Sequence, residues 1–154
     1  MSVSIAPAGP DDFAALAADI RPLDRLEAET VAQMPLGQAL DMVAARSLRT
    51  TAGYLDGRLV AVWGVGAATV LSRTGTPWLL ATNAMEDRGA RRAFAALSRA
   101  EFAKTVEGFR RLWNYVHADN RLAVRWLRWL GFDFPGHRVT IGREPFLYFE
   151  KEMG

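Results

Sequence analysis

The stretch that decides the fold runs from Leu112 to Phe132 and has the sequence LWNYVHADNRLAVRWLRWLGF. It opens with aromatic and β-branched residues, which predict a short strand. Asp119 and Asn120 follow as helix-capping residues, and apolar residues then recur at helical spacing. Gly131 stands where many helices end in a left-handed residue. The stretch therefore predicts a strand, a turn and a capped helix.

The rest of the chain alternates between helical and strand patterns. Apolar residues at helical spacing predict helices at 10–20, 23–34, 36–48 and 86–107. Period-two patterns predict strands at 3–6, 51–55, 58–69, 78–82, 138–141 and 146–149. Asp56 and Gly57 fit a two-residue hairpin turn, and residues 75–77, Gly-Thr-Pro, are predicted to form a second turn. This order predicts one mixed α/β (α+β) domain.

The composition bounds the class of protein. A chain of 154 residues that is 50% apolar and 23% charged is typical of a single globular domain, here residues 1–154. No apolar run reaches the roughly 18 residues of a membrane span, and the N-terminus lacks the pattern of a secretory signal. Without cysteine there are no disulfides or thiolates, and two histidines leave little for a metal site, so none is predicted. We expect a cytosolic protein.

The positive charge is carried almost entirely by arginine. The formal net charge is +2, and only Lys104 and Lys151 are lysines. Arginine suits fork-like contacts to phosphate and carboxylate groups. Arginine-rich helix faces at 88–99 and 121–128 therefore leave nucleic-acid binding open as a third interpretation.

A family resemblance is carried by the order of elements and by a short motif. Asn120, Ala123 and the pair Gly131–Phe132 match a common ending of the GCN5-related N-acetyltransferase (GNAT) fold, which the chain resembles. The resemblance implies a mixed, mostly antiparallel twisted sheet of about six to seven strands flanked by helices. It also implies that Asn120 lies beside the arm of a bound coenzyme A.

A narrower resemblance covers residues 111–154. LWNYV, Arg125 to Arg128, Gly131 and the tail PFLYFEKEMG are similar to the small GNAT-like internal virion proteins of T7-like phages. This resemblance implies a phage or prophage origin and a virion-associated or assembly role. It implies other phage virion or assembly proteins as partners, a location in the host cytoplasm or the virion, and no required cofactor.

The loop expected to bind coenzyme A departs from the enzyme pattern. Active family members place glycines after the fourth strand, so that backbone N–H groups can approach the pyrophosphate. Residues 83–92, NAMEDRGARR, hold a single glycine and two carboxylates. If acetyl-CoA or another acyl-CoA binds, the residues expected to hold it are Ala84, Arg88, Gly89, Arg91, Arg92 and Asn120.

The proton donor of the enzyme pattern is also missing. The resemblance places a tyrosine seven residues after the asparagine, but Leu127 stands there and cannot transfer a proton. The remaining candidates for a catalytic role are His117, Glu86 and Tyr115. Two main interpretations follow: a virion or assembly protein with degenerate catalytic motifs, or an acyl-CoA-dependent N-acyltransferase with a divergent loop. An open, basic cleft between the fourth and fifth strands would favour the second.

Overall fold

The computed structural model describes residues 2–154. Its strands are β1 (Val3–Pro7), β2 (Ser47–Leu55), β3 (Arg58–Gly66), β4 (Thr74–Ala81), β5 (Arg111–His117), β6 (Arg138–Ile141) and β7 (Glu144–Glu152). Its helices are α1 (Pro10–Asp19), α2 (Pro22–Ala32), α3 (Leu36–Arg46), α4 (Arg88–Thr105) and α5 (Arg121–Trp129). A 3₁₀ turn, Asn83–Glu86, connects β4 to α4.

All seven strands form one sheet in the order β1-β2-β3-β4-β5-β7-β6. Every neighbouring pair is antiparallel except β4 and β5, which are parallel. The predicted fold class, a mixed and mostly antiparallel sheet flanked by helices, is confirmed. The parallel pair is short: Thr74 pairs with Arg111 and Gly75 with Leu112, and beyond these residues the two strands separate. A wedge-shaped opening therefore lies in the middle of the sheet.

Helices cover both faces of the sheet because successive strand residues point to opposite sides. Val62 packs in a cluster with buried residues of α1, α2 and α3. The next residue, Trp63, belongs to a cluster on the other face that includes Phe94 of α4. Leu112 of β5, fully buried, packs on that second face with Leu127 of α5. The wedge is thus enclosed by α2 and α3 on one side and by α4 and α5 on the other.

The local features predicted for the hairpin and for the helix ends are confirmed. Asp56 and Gly57 both have positive φ, 49° and 80°, as the predicted two-residue turn requires. The Asn120 side chain accepts a hydrogen bond from the Ala123 N–H at 3.3 Å and so caps α5. Gly131 follows α5 with φ of 96°.

The predicted turn at residues 75–77 is wrong, because these residues lie inside β4. Proline is normally excluded from central strands since it cannot donate to the ladder. The carbonyl of Pro77 accepts a hydrogen bond from Asn114 of β5, so the backbone of Pro77 faces the wedge. The N–H that proline lacks would point toward the gap left by β5, where no ladder bond is needed.

The boundary between α3 and β2 also differs from the prediction. The helix ends at Arg46 rather than residue 48. The Ser47 hydroxyl donates to the Val43 carbonyl at 2.7 Å and accepts a bond from the Trp78 indole at 2.8 Å. The serine satisfies a carbonyl of the last helical turn while the backbone enters the sheet.

None of the helices within residues 2–154 combines the length and the apolar character needed to cross a lipid bilayer.

Gly131→Ala is expected to lower the free energy of unfolding by about 1–2 kcal/mol. A Cβ at Gly131 would combine an unfavourable positive φ with a contact of 2.6 Å to Lys151 Nζ, which donates to the Leu130 carbonyl. Gly136→Ala is the matched control, because Gly136 has φ of 93° and a Cβ there would have no atom within 4 Å. Urea unfolding should show the larger loss for Gly131; equal losses would mean that the Lys151 contact contributes nothing.

Candidate functional site

The separation of β4 from β5 opens a cleft of about 1220 Å³ through the middle of the molecule. Its lining includes Asp24 and Glu27 of α2 and arginines near the start of α4, among them Arg88 and Arg92. Arg21 pairs with both Asp24 and Glu86, so the start of α2 lies close to the start of α4. Carboxylates and arginines therefore both line the cleft.

Asp24 of α2 is hydrogen-bonded to β4, the strand on one side of the cleft. Its side chain is 2% exposed, and Oδ2 accepts a hydrogen bond of 2.7 Å from the Ala81 N–H at the end of β4. Oδ1 forms an ion pair with Arg21 at 3.0 Å. Burial raises the pKa of Asp24 to about 6, although the Ala81 N–H and Arg21 act in the opposite direction.

Glu27, one helical turn later, is hydrogen-bonded to β5, the strand on the other side of the cleft. Its Oε1 accepts bonds from the His117 N–H at 3.1 Å and from Asn120 Nδ2 at 2.8 Å. Burial raises the pKa of Glu27 to about 7, which these two hydrogen bonds oppose. Asp24 and Glu27 thus connect α2 to the two strands where those strands no longer pair with each other.

The second oxygen of Glu27 remains accessible. Its hydrogen bonds both fall on Oε1. Within residues 2–154, every completely buried side-chain oxygen or nitrogen has a partner, so Oε2 is not completely buried. Since Glu27 lines the cleft, Oε2 is a polar atom that a ligand can reach.

The edge of β4 that faces the cleft has no neighbouring strand over most of its length. The Pro77 carbonyl and the Ala81 N–H both point toward β5, because their hydrogen-bond partners lie on that side. Backbone direction repeats every two residues, so Leu79 directs its N–H and carbonyl into the gap. An extended ligand could bind there as an additional short strand.

The start of α4 is occupied by the protein's own side chains. Asp87 is the N-cap, and its Oδ2 accepts a 2.9 Å bond from the Ala90 N–H. The Arg91 guanidinium lies on the carbonyls of Met85 and Glu86, at 3.3 and 3.0 Å. The Asp87 carboxylate thus occupies an N–H donor of the helix that a pyrophosphate would need. The start of α4 therefore does not fit the pyrophosphate of coenzyme A in the way that a glycine-rich loop does.

The structure places His117 outside the cleft lining. The side chain is 2% exposed; Nε2 lies 2.8 Å from Glu144, and Nδ1 accepts from the Asp119 N–H at 3.0 Å. Because Nδ1 accepts a hydrogen bond, Nε2 carries the N–H group that donates to the Glu144 carboxylate. Both ring nitrogens are therefore engaged in structural bonds. The geometry gives no support to the predicted role of His117 as a general base.

The other predicted site residues divide into two groups. Tyr115, Asn120 and the three arginines Arg88, Arg91 and Arg92 line the cleft. Glu86, Ala84 and Gly89 are not among its lining residues. Glu86 instead pairs with Arg21 at 2.9 Å, and Ala84 is buried. The predicted roles of these residues in catalysis and acyl-CoA binding stay predictions.

Leu127 is 6% exposed and belongs to the core cluster between α5 and the sheet, although part of it lines the cleft. Met85 and Trp113 also line the cleft without closing it. The position of the family's proton donor is therefore an apolar packing position in this chain.

Some arginines of the predicted arginine-rich helix faces make contacts within the protein itself. The Arg99 guanidinium lies 4.1 Å from the centre of the Trp129 ring and donates to the Trp129 carbonyl. Arg128 lies 5.1 Å from the ring of Phe134. These contacts stabilise the C-terminal end of α5. Nucleic-acid binding stays an untested prediction.

Asp24 and Glu27 were not identified from the sequence. Helical spacing places both on one face of α2, but several carboxylates occur in that segment and no local pattern distinguishes buried from exposed ones. Their partners are 57 and 90 residues away along the chain. Only the tertiary structure shows that these two carboxylates meet the open strands.

Comparisons with known proteins identify the fold. No protein-family model matches the chain, and no curated protein sequence matches it. Among solved structures, a GCN5-related N-acetyltransferase from Kribbella flavida is similar at 20% identity, with a TM-score of 0.62 and 98% of each chain covered. The Escherichia coli ribosomal-protein-S18-alanine N-acetyltransferase is 19% identical with a TM-score of 0.64, covering 99% of this chain and 95% of its own.

A third similar structure is yncA from Salmonella typhimurium, which was solved with its cofactor acetyl-CoA. It is 14% identical, with a TM-score of 0.65, and covers all of this chain and 95% of its own. These comparisons do not support the narrower resemblance to phage virion proteins, which stays a prediction. At these identities the likeness concerns the fold, and this chain has the fold of the GCN5-related N-acetyltransferases.

Proposed function

We propose that this chain is a phage-derived protein of the GNAT fold that acts by binding, in the assembly or structure of a virus particle, and has lost acetyl transfer. The observation that supports the loss of acetyl transfer is that the protein's own side chains occupy the start of α4. Asp87 occupies an N–H donor of the helix, and Arg91 donates hydrogen bonds to two carbonyls of the preceding turn. A pyrophosphate would have to displace the Asp87 carboxylate against charge repulsion.

Two further features support the loss of catalysis. Leu127 stands in place of the tyrosine that protonates the leaving thiolate, and it is packed into the core. His117 is buried with both ring nitrogens bonded. The particle role itself is supported by the resemblance of residues 111–154 to small phage virion proteins.

We expect millimolar acetyl-CoA to leave the melting temperature of the wild-type protein unchanged. A ligand at 100 times its Kd would stabilise the native state by about 2.7 kcal/mol, which is easily measured. The matched variant is Asp87→Ser with Arg91→Gly, since serine still caps the helix while the carboxylate and guanidinium are removed. A gain of stabilisation in that variant alone supports the proposal, and stabilisation of the wild type contradicts it.

The particle role has its own test. We expect mass spectrometry to detect the protein in purified particles of the phage that encodes it. Its presence only in the lysate would restrict the role to assembly. Normal particle yield and infectivity after deletion of the gene, with no protein in the particles, would exclude both roles.

The second candidate is an acyl-CoA-dependent N-acyltransferase with a divergent loop. The observation that favours it is the open cleft, where Glu27 Oε2 can accept a proton from an amine. Acetylation of a panel of primary amines and peptide N-termini tests it. Activity that is lost in Glu27→Gln and kept in Glu29→Gln would establish this function over the first.

A further inference from the structure

The positive charge of the chain is concentrated in two neighbouring helices. Together, α4 and α5 hold eight of the nineteen lysines and arginines but only one of the seventeen carboxylates. They therefore carry a formal charge of +7, and the rest of the chain carries −5. A distribution this uneven attracts a polyanion to one side of the molecule, even though the formal net charge is only +2.

Six of these arginines form two rows, one on each helix. Those of α4 stand at positions i, i+4 and i+11 and those of α5 at i, i+4 and i+7, and both spacings place a set on one side of its helix. The six residues, here called the arginine surface, are Arg88, Arg92, Arg99, Arg121, Arg125 and Arg128. All six are exposed, and within residues 2–154 none of them forms an ion pair. Their charge is therefore available to a ligand.

The two rows lie close together because α4 and α5 pack against each other. The centres of the Phe94 and Trp126 rings are 5.8 Å apart, and the Trp126 indole donates to the Ser98 hydroxyl at 3.0 Å. Further along both helices, Arg99 donates to the Trp129 carbonyl at 2.9 Å. Residue numbers rise together in these contacts, so the two helices run in the same direction. The arginine surface extends along them for about 16 Å.

An exposed aromatic ring lies at the C-terminal end of this surface. Trp129 is 43% exposed, and among the described residues of α4 and α5 it is the one large hydrophobic side chain exposed to this degree. The Arg99 guanidinium lies 4.1 Å from the centre of the ring and helps to hold it in place. Proteins bind single-stranded nucleic acids with this combination of features, because bases stack on aromatic rings while phosphates contact the cations.

We propose that the arginine surface binds single-stranded nucleic acid, with phosphates on the arginines and a base stacked on Trp129. Arginine favours this ligand because its planar guanidinium can contact two phosphate oxygens at once. An anionic membrane fits less well, since the described residues of α4 and α5 include no exposed large aliphatic side chain to insert between lipids. An acidic protein would match the charge but would leave Trp129 without a base.

The arginine surface extends beyond the cleft. Arg99, Arg121 and Arg128 are not among the residues that line the cleft, whereas the other three arginines are. Arg99 lies about 16 Å along α4 from the start of the helix, where the phosphates of a coenzyme would be expected. Nucleic-acid binding therefore depends neither on acyl-CoA nor on the proposed role in a virus particle, and either proposal can fail without the other.

The probes are fluorescein-labelled oligo-dT and oligo-rU of about 20 nucleotides, titrated with the full-length protein and followed by fluorescence anisotropy. We expect the logarithm of the association constant to fall with the logarithm of the salt concentration, at a slope of about −4 if all six arginines contact phosphates. The oligonucleotide that binds more tightly identifies the preferred sugar. A flat salt response would overturn the proposal, and so would equal binding of a poly-glutamate of the same charge.

Arg121→Gln with Arg128→Gln removes two charges that lie outside the cleft lining. At a salt concentration of about 0.1 M the affinity for oligo-dT should fall at least about tenfold, and the salt slope should become shallower by about 1.4. The control is Arg73→Gln with Arg143→Gln, which removes two exposed arginines that form no ion pair with any described residue and lie outside α4 and α5. Its affinity should stay within about twofold of the wild type. Equal losses in the two double variants would contradict the proposal.

Stacking on Trp129 is separated from the phosphate contacts by an oligonucleotide of abasic sites, which keeps the backbone but has no bases. The wild type should bind oligo-dT at least about fivefold more tightly than the abasic strand. Trp129→Leu should bind the two strands equally. Equal binding by the wild type would overturn the proposal, whatever the variants do. Full displacement of oligo-dT by millimolar coenzyme A would also overturn it, because the arginines would then form a coenzyme site.

Discussion

Replacing Gly64 by alanine is expected to lower the free energy of unfolding by about 3 kcal/mol or more. Gly64 lies near the end of β3 and is paired on both sides, where a Cβ would collide with the Arg49 carbonyl oxygen of β2 and would lie 2.9 Å from the Trp78 ring. The carbonyl belongs to a paired strand and cannot withdraw without loss of ladder bonds. Trp78 is fixed by its bond to Ser47.

The same substitution should alter the cleft, because Gly64 and Trp78 both line it. Gly37→Ala is the matched control: Gly37 lies in α3 with no atom within 4 Å of a Cβ, so alanine should be neutral or stabilising by up to about 1 kcal/mol. Urea unfolding measures both variants. A Gly64→Ala protein as stable as Gly37→Ala would mean that β2 and β3 can separate freely at this point.

Features set by neighbouring residues could be predicted from the sequence. The Asp56–Gly57 turn depends on two residues that tolerate positive φ, and the α5 helix depends on its Asn120 cap and on Gly131. Each of these signals acts over fewer than about five residues. The resemblance then supplied the mixed, mostly antiparallel sheet of six to seven strands, which the structure confirms.

Features that depend on distant contacts could not be predicted. Pro77 by itself predicts a turn. It is compatible with a position inside β4 only because β5 separates from β4 there, so that no backbone N–H is needed for pairing. The sequence indicated which residues stand at 83–92, but not that Asp87 and Arg91 would bind backbone groups of that segment. The carboxylates of α2 were missed for the same reason, since burial at the wedge is a property of the whole fold.

Those carboxylates should make stability depend on pH in an unusual direction. Burial raises the pKa of Glu27 from 4.5 to about 7 and that of Asp24 from 3.8 to about 6. Between the unfolded and folded pKa values the native state binds more protons than the unfolded state. The contribution of both groups to stability is therefore fully present below about pH 4 and is lost as the pH rises to about 7.

Glu27→Gln should remove the share of Glu27 in this pH dependence. The new glutamine side chain would still accept from the His117 N–H and Asn120, but it carries no charge to desolvate. We expect the variant to match the wild type near pH 4 and to exceed it by about 3 kcal/mol at pH 8, since each pKa unit is worth about 1.4 kcal/mol. Urea unfolding at both pH values measures this difference, and subtraction of the wild type cancels the titrating groups that do not interact with Glu27. Asp24, whose charge helps to raise the pKa of Glu27, adds to the difference. Glu29→Gln is the control and should show no gain in stability at pH 8, because it loses the charge that binds Arg25 and the Leu36 N–H. A Glu27→Gln protein that is less stable than the wild type at pH 8 would mean that the charge on Glu27 strengthens its bonds to β5 and α5 by more than its burial costs.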